Sequence, residues 1–169
     1  MRVMAEDAIV VGVQADQPEA VIQEALRFAV RFGGRLEFVQ VDTGRYVIDG
    51  QFGEDPLVER SMPLDSDAAD SSEDPFDPAI LERLDRIVGD RVPWQTHQMA
   101  GDVAHALATL ADRVDAVMII VGTKEPSLRR TVQEVFSGAV GARLAHRQHR
   151  PVLMIPLSPD DDSEPLPWS

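Results

Sequence analysis

Two short stretches carry residue types and spacing suited to holding a phosphate. One is Gly122-Thr123-Lys124; the other, beyond a polar loop, is Ser137-Gly138-Ala139-Val140. Glycine lets an anion approach the main chain closely. N–H groups at a helix start, with the helix dipole behind them, bind that anion without side-chain charge. Lys124 and the pair Arg129-Arg130 supply countercharge in the intervening loop, and Glu125 opposes them. Two readings of this loop stand. It is either a phosphate site or a solvated surface whose basic residues meet the acidic segments of the same chain.

Other chemistries have less behind them. His97 and His105 straddle a strand-to-helix turn, and His146 and His149 share i, i+3 spacing near a helix end. Metal ligands come in convergent sets, and the end of a helix explains the second pair without one, so no metal is expected. The chain has no cysteine, which excludes disulfides and thiolate catalysis. It also lacks a Gly-x-Ser-x-Gly elbow, a His-Glu-x-x-His helix and a Walker-type Gly-Lys-Ser/Thr.

The elements that must position these residues alternate along the chain. Ala8–Val13 is a continuous apolar run of the buried-strand type, ending at Gln14-Ala15-Asp16. Asp16 to Glu19 reads as a helix start, and Val21, Ile22, Ala25, Leu26, Ala29 and Phe32 recur at helical spacing up to Gly33-Gly34. Arg35–Val41 is a second strand. Residues 42–76 are acidic, hold Ser, Gly and Pro, and show no sustained period, which predicts a flexible insertion without regular elements.

A helix follows Asp77-Pro78, then a strand over Val92–Met99, placed towards an edge by Pro93. Gly101-Asp102 caps the next helix. Ala116–Val121 is the fourth strand, Ser137 to His149 the last helix and Val152–Ile155 the fifth strand. This order predicts an α/β fold with a five-stranded parallel sheet, doubly wound with helices on both faces. In such sheets ligands bind beyond the carboxyl ends of the strands, where strand order reverses. Val13-Gln14 and Gly122-Thr123 are therefore expected to meet there.

The net charge of −13 is concentrated in two segments. Residues 50–77 hold nine carboxylates against Arg60, and the tail 157–169 holds four. The remainder is close to neutral, which argues against nucleic-acid binding, since phosphate affinity rests on clustered cations. The acidity is open to two readings, a docking segment or an adaptation to a salt-rich environment. Trp168 is either a docking element in the tail or disordered with it. No apolar run approaches the ~20 residues of a membrane span. Glu6 and Asp7 fall where a signal peptide needs its apolar core, so a cytoplasmic protein is expected.

The chain resembles the universal stress proteins. The resemblance covers the first βαβ unit and residues 77 to 156. It is most specific at Gly101-Asp102, at Asp115–Thr123 ending in Gly122-Thr123, and from Gly138-Ala139-Val140 to Arg150-Pro151-Val152-Leu153. Pro151 stands 13 residues beyond Gly138, the family's spacing. The resemblance implies a Rossmann-like domain over 1–156 of the adenine nucleotide alpha hydrolase-like type. It implies a homodimer through the fifth strand (Val152, Leu153, Met154, Ile155) and a stress-associated regulatory role. Catalysis is not expected beyond slow ATP hydrolysis.

Against the family's nucleotide motif the loop is altered. Glu125 stands at the second glycine, Gly122 and Gly138 are 16 positions apart instead of 13, and Ala139 replaces the final Ser/Thr, with Ser137 on the other side of Gly138. Gln14 replaces the usual acidic residue after the first strand. Two outcomes follow. One is an interaction module with a degenerate site and no nucleotide. The other is a sensor of ATP, AMP or cyclic AMP, with Mg2+ if ATP, in which Val13, Gln14 and Val41 lie near base and ribose and Gly122, Thr123, Lys124, Ser137, Gly138, Ala139 and Val140 near phosphate.

Overall fold

The computed structural model describes residues 6–47, 61–63, 76–123 and 138–157. Most of the acidic stretch 42–76, the segment from Lys124 to Ser137 and the tail past Leu157 lie outside the described residues.

Ala8–Gly12 (β1) is buried at every position, which explains why its sequence is a continuous apolar run and not an alternating one. It bonds in parallel to Arg35–Asp42 (β2) on one side and Met118–Thr123 (β6) on the other. Two short strands, Arg45–Val47 (β3) and Ser61–Pro63 (β4), pair antiparallel. Trp94–Ala100 (β5) and Val152–Pro156 (β7) are the edges of the main sheet, in the order β5-β2-β1-β6-β7. All of its pairings are parallel. The sheet is thus the five-stranded parallel one expected, with the Pro93-led strand at an edge.

Alternation sends the two faces of each strand to different cores. Ile9, Val11, Leu36, Phe38 and Ile120 pack with Ala20–Phe32 (α1) and Pro78–Ile87 (α2). Val10, Val39, Ile119 and Val121 pack with Val103–Arg113 (α3) and Gly138–Arg147 (α4). The helices are amphipathic, and burying each stripe supplies about 1.5–3 kcal/mol per large side chain.

Three local expectations shift. The β3–β4 pair falls where no element is expected, because three-residue strands are too short to carry a readable period. The fourth parallel strand starts at Met118 instead of Ala116; Val117 N–H bonds the Ala8 carbonyl at 2.8 Å on the way in. Helix α1 begins at Ala20, with Glu19 as a cap that makes no side-chain bond, so Asp16 is not the capping residue. The turn preceding α1 is held by a cation from α2, which keeps residues 14–17 out of the helix.

One charge is buried in the sheet. The Glu37 side chain is 3% exposed, and it accepts from Arg35 Nε at 2.8 Å and pairs with His97 Nε2 at 2.7 Å. Arg35 also bonds the Glu6 carbonyl at 2.6 Å, tying the chain start to β2. Burial pushes the Glu37 carboxyl up, but the bonds from His97 and Arg35 outweigh it and leave the carboxyl below its ordinary range. A carboxylate depressed on folding stabilises above its unfolded value and loses that contribution as pH falls through the folded one. Glu37→Gln should therefore cost about 2 kcal/mol near neutral pH, the worth of a hydrogen bond to a charge. Urea unfolding of both proteins should show the gap closing below about pH 4, near the ordinary carboxylate range. A gap independent of pH would contradict the ion-pair account.

Candidate functional site

The strand order places the topological switch between β1 and β6, because the chain leaves β1 for β2 on one side and reaches β6 on the other. The register pairs Val11 with Ile120, and continuing it sets Val13 beside Gly122. Val13 and Gly122, far apart in sequence, are therefore neighbours, as the strand topology predicts. Val13 is buried, and its N–H bonds the Val39 carbonyl at 2.9 Å. Val41, half-buried in β2, stands opposite Met99.

The loop leaving β1 is clamped from the outside. Arg83, on α2, donates to the carbonyls of Gln14 at 3.0 Å, Ala15 at 2.5 Å and Gln17 at 2.8 Å. A guanidinium offers its donors in a rigid planar fork, so one side chain can satisfy three carbonyls of the same turn. Gln17 N–H closes the turn on the Gln14 carbonyl at 3.3 Å. The Gln17 side chain enters the protein and the residue is 6% exposed.

At the other wall, Gly122 is glycine for a packing reason. A Cβ there would lie 2.8 Å from Gln17 Nε2, 2.8 Å from Leu157 Cδ1 and 3.0 Å from Val21 Cγ2. Thr123 is engaged by the chain as well. Its hydroxyl donates to the Ile155 carbonyl at 3.3 Å, and its own carbonyl accepts from Leu157 N–H at 3.1 Å. The Gly-Thr pair thus receives the last residues of β7 and the first beyond it.

Two ion pairs flank this end of the sheet, one per face. Glu19, at the start of α1, pairs with Arg86 of α2. The bond from Arg86 holds the Glu19 carboxyl below its ordinary value, and Glu19 in turn raises the Arg86 guanidinium. Asp102 caps α3 by accepting from His105 N–H at 2.9 Å, and it also pairs with Arg143 of α4. Burial pushes the Asp102 carboxyl up, but those two bonds hold it lowered. Gly101, at φ +94°, adopts a backbone open to glycine and bonds the Asp42 carbonyl at 2.9 Å, which turns the chain from β5 into that cap. The start of α3 is thus occupied by its own carboxylate.

The universal stress protein family matches residues 7–156. The chain belongs to that family. Among solved universal stress proteins, one in complex with cAMP superposes with a TM-score of 0.56 at 22% identity, covering 91% of this chain and 99% of its own. One from Archaeoglobus fulgidus gives 0.53 at 19% identity, over 90% and 95% of the two chains. Another from Archaeoglobus fulgidus, in complex with dAMP, gives 0.51 at 19%, over 90% and 99%. At these identities the likeness is one of fold. Comparison with curated proteins finds no match.

Of the site residues that the universal stress protein resemblance implies, Val13, Gln14, Gly122 and Thr123 are placed at the ends of β1 and β6, and Val41 lies near the end of the neighbouring β2. Gly138 and Ala139 open α4, and Val140 is buried in the core beneath that helix. Lys124 and Ser137, with Glu125 and Arg129-Arg130, lie outside the described residues. Sequence reasoning misses Arg83 and Gln17. Arg83 reads as the polar face of a helix and Gln17 as part of a helix start, and neither pattern hints at a partner 66 residues away. Among the described residues no group of three or more His, Asp or Glu could hold a metal ion.

Because Gly122 is hemmed in by Gln17, Leu157 and Val21, Gly122→Ala should destabilise the protein by about 1–3 kcal/mol, the usual cost of overpacking. Urea unfolding measures it; a neutral substitution would show that these side chains move aside freely.

Proposed function

We propose that this universal stress protein family member is a non-catalytic regulatory protein that binds an adenine nucleotide at the switch between β1 and β6. The observation that carries the non-catalytic part is the engagement of the flanking carboxylates. Glu19 is paired with Arg86, and Asp102 is taken up by Arg143 and by the cap of α3, so neither is free to act as a general base. Support for the ligand comes from the convergence of Val13, Gln14 and Gly122 at one strand end, and from relatives of the same fold solved with cAMP and dAMP. A single phosphate suits the site better than three, since Glu125 in the loop repels added charge.

A second reading has its own observation. The chain fills the Gly122 face itself and uses both polar groups of Thr123, as expected of an interaction module that takes no nucleotide. In that case the acidic stretch 42–76 or the tail is the docking segment. Both readings place the protein in the cytoplasm, in a stress response. Among the described residues no helix is long and apolar enough to cross a membrane.

Titration calorimetry with AMP, cyclic AMP and ATP, with and without Mg2+, separates the readings. Micromolar binding of the monophosphates, weaker binding of ATP and a further loss in Lys124→Ala are expected. No heat with any of the three would favour the interaction module.

The oligomer is a homodimer through β7. Among the described residues the strand's outer edge has no partner strand, and Met154 is 47% exposed. Such an edge is the material of antiparallel strand addition across a two-fold axis. Light scattering should give twice the chain mass, falling to the monomer when Met154 is replaced by Pro, because Pro151, Ile155 and Leu157 bond β6 and the alternate N–H of Met154 faces the outer edge. A wild-type monomer at micromolar concentration would overturn the dimer.

A further inference from the structure

Gln17 is an anomaly that the packing account leaves open. The residue is 6% exposed, yet its amide Nε2 makes no hydrogen bond among the described residues. A buried donor without an acceptor costs stability, and an apolar side chain of the same shape would avoid that cost. Its placement is not accidental. Arg83 holds the Gln17 carbonyl, Gln14 holds its N–H, and the side chain is set against Gly122 beside Leu157. The amide therefore stands at the switch, one turn before a 13-residue helix whose capping residue, Glu19, makes no side-chain bond to the helix start. The carboxylate of Glu19 is drawn instead to Arg86.

We propose that Gln17 is a ligand-contacting residue and that its Nε2 donates to a phosphate oxygen of the bound adenine nucleotide, with Arg83 as the positioning residue that holds it there. This rests on the nucleotide reading and adds to it the group that reads the phosphate. A neutral amide beside a helix start that its own capping residue leaves without a side-chain bond suits a monophosphate, because it satisfies an acceptor without adding charge. Leu157 shares the space beside Gly122, so the incoming phosphate displaces that side chain, the first past β7.

The test uses the full-length chain and Gln17→Met, which keeps length and volume and removes the donor. Calorimetry with AMP and with adenosine reads the contact, and thermal unfolding without ligand reads the packing. AMP affinity should fall about tenfold, the worth of one hydrogen bond to a charged group, while adenosine affinity stays unchanged. The melting temperature should hold or rise. Unchanged AMP affinity overturns the contact, and an equal loss for adenosine overturns the assignment to phosphate. A melting temperature lower by several degrees would show that the amide already has a partner within the chain. If the wild-type protein binds neither AMP nor adenosine, the nucleotide reading fails with this one, whereas wild-type binding that Gln17→Met leaves intact removes Gln17 alone.

Discussion

The architecture depends on β1 being buried on both faces and bonded on both edges. A strand so placed cannot carry a polar side chain cheaply, so Ile9-Val10-Val11 is apolar without alternation. It also forces a helical layer onto each side, since each face of the sheet must be covered. The chain then winds outward from β1 in one direction through β2 and β5, and in the other through β6 and β7. The reversal leaves the ends of β1 and β6 as the place where two connecting segments part, and the candidate site occupies that gap.

What makes the gap specific is a set of long-range polar contacts. Arg83 fixes the exit from β1 from a helix that follows the acidic stretch in sequence, so the loop's shape is decided by α2 and not by its own residues. Glu19–Arg86 ties the start of α1 to α2, and Asp102–Arg143 does the equivalent for α3 and α4 on the opposite face. Each of these exposed or partly exposed pairs contributes little stability by itself. Their effect is geometric: they hold the helix starts around the strand ends and keep their carboxylates ionised.

The buried cluster of Glu37, Arg35 and His97 belongs to a different part of the molecule. It lies on the face of β2 that also carries Val39, towards the edge strand β5, and Arg35 reaches the Val114 carbonyl at the end of α3. A lone carboxylate there would be expelled or protonated; two hydrogen-bonded partners keep it charged. The cluster pins the chain start and the edge strand to β2, away from the ligand end of the sheet.

The fold was legible in the sequence wherever burial imposes a period or a continuous run. The apolar run of β1, the helical stripe from Val21 to Ala29, the Asp102 cap and the edge position announced by Pro93 are local patterns with local causes, and they lead to the parallel sheet; the family resemblance rests instead on motif residues such as Gly122-Thr123 and the spacing of Gly138 to Pro151. The meeting of Val13 with Gly122 followed from topology alone. The start of α1 was not legible, because Arg83 overrides the capping signal at Asp16. Nor was the state of the site, because a glycine at a strand end reads the same whether a phosphate or Gln17 and Leu157 lie against it. Periodicity records which residues leave water, a property each residue carries by itself. Which donor finds which acceptor depends on two distant segments arriving together, and only the tertiary structure decides that.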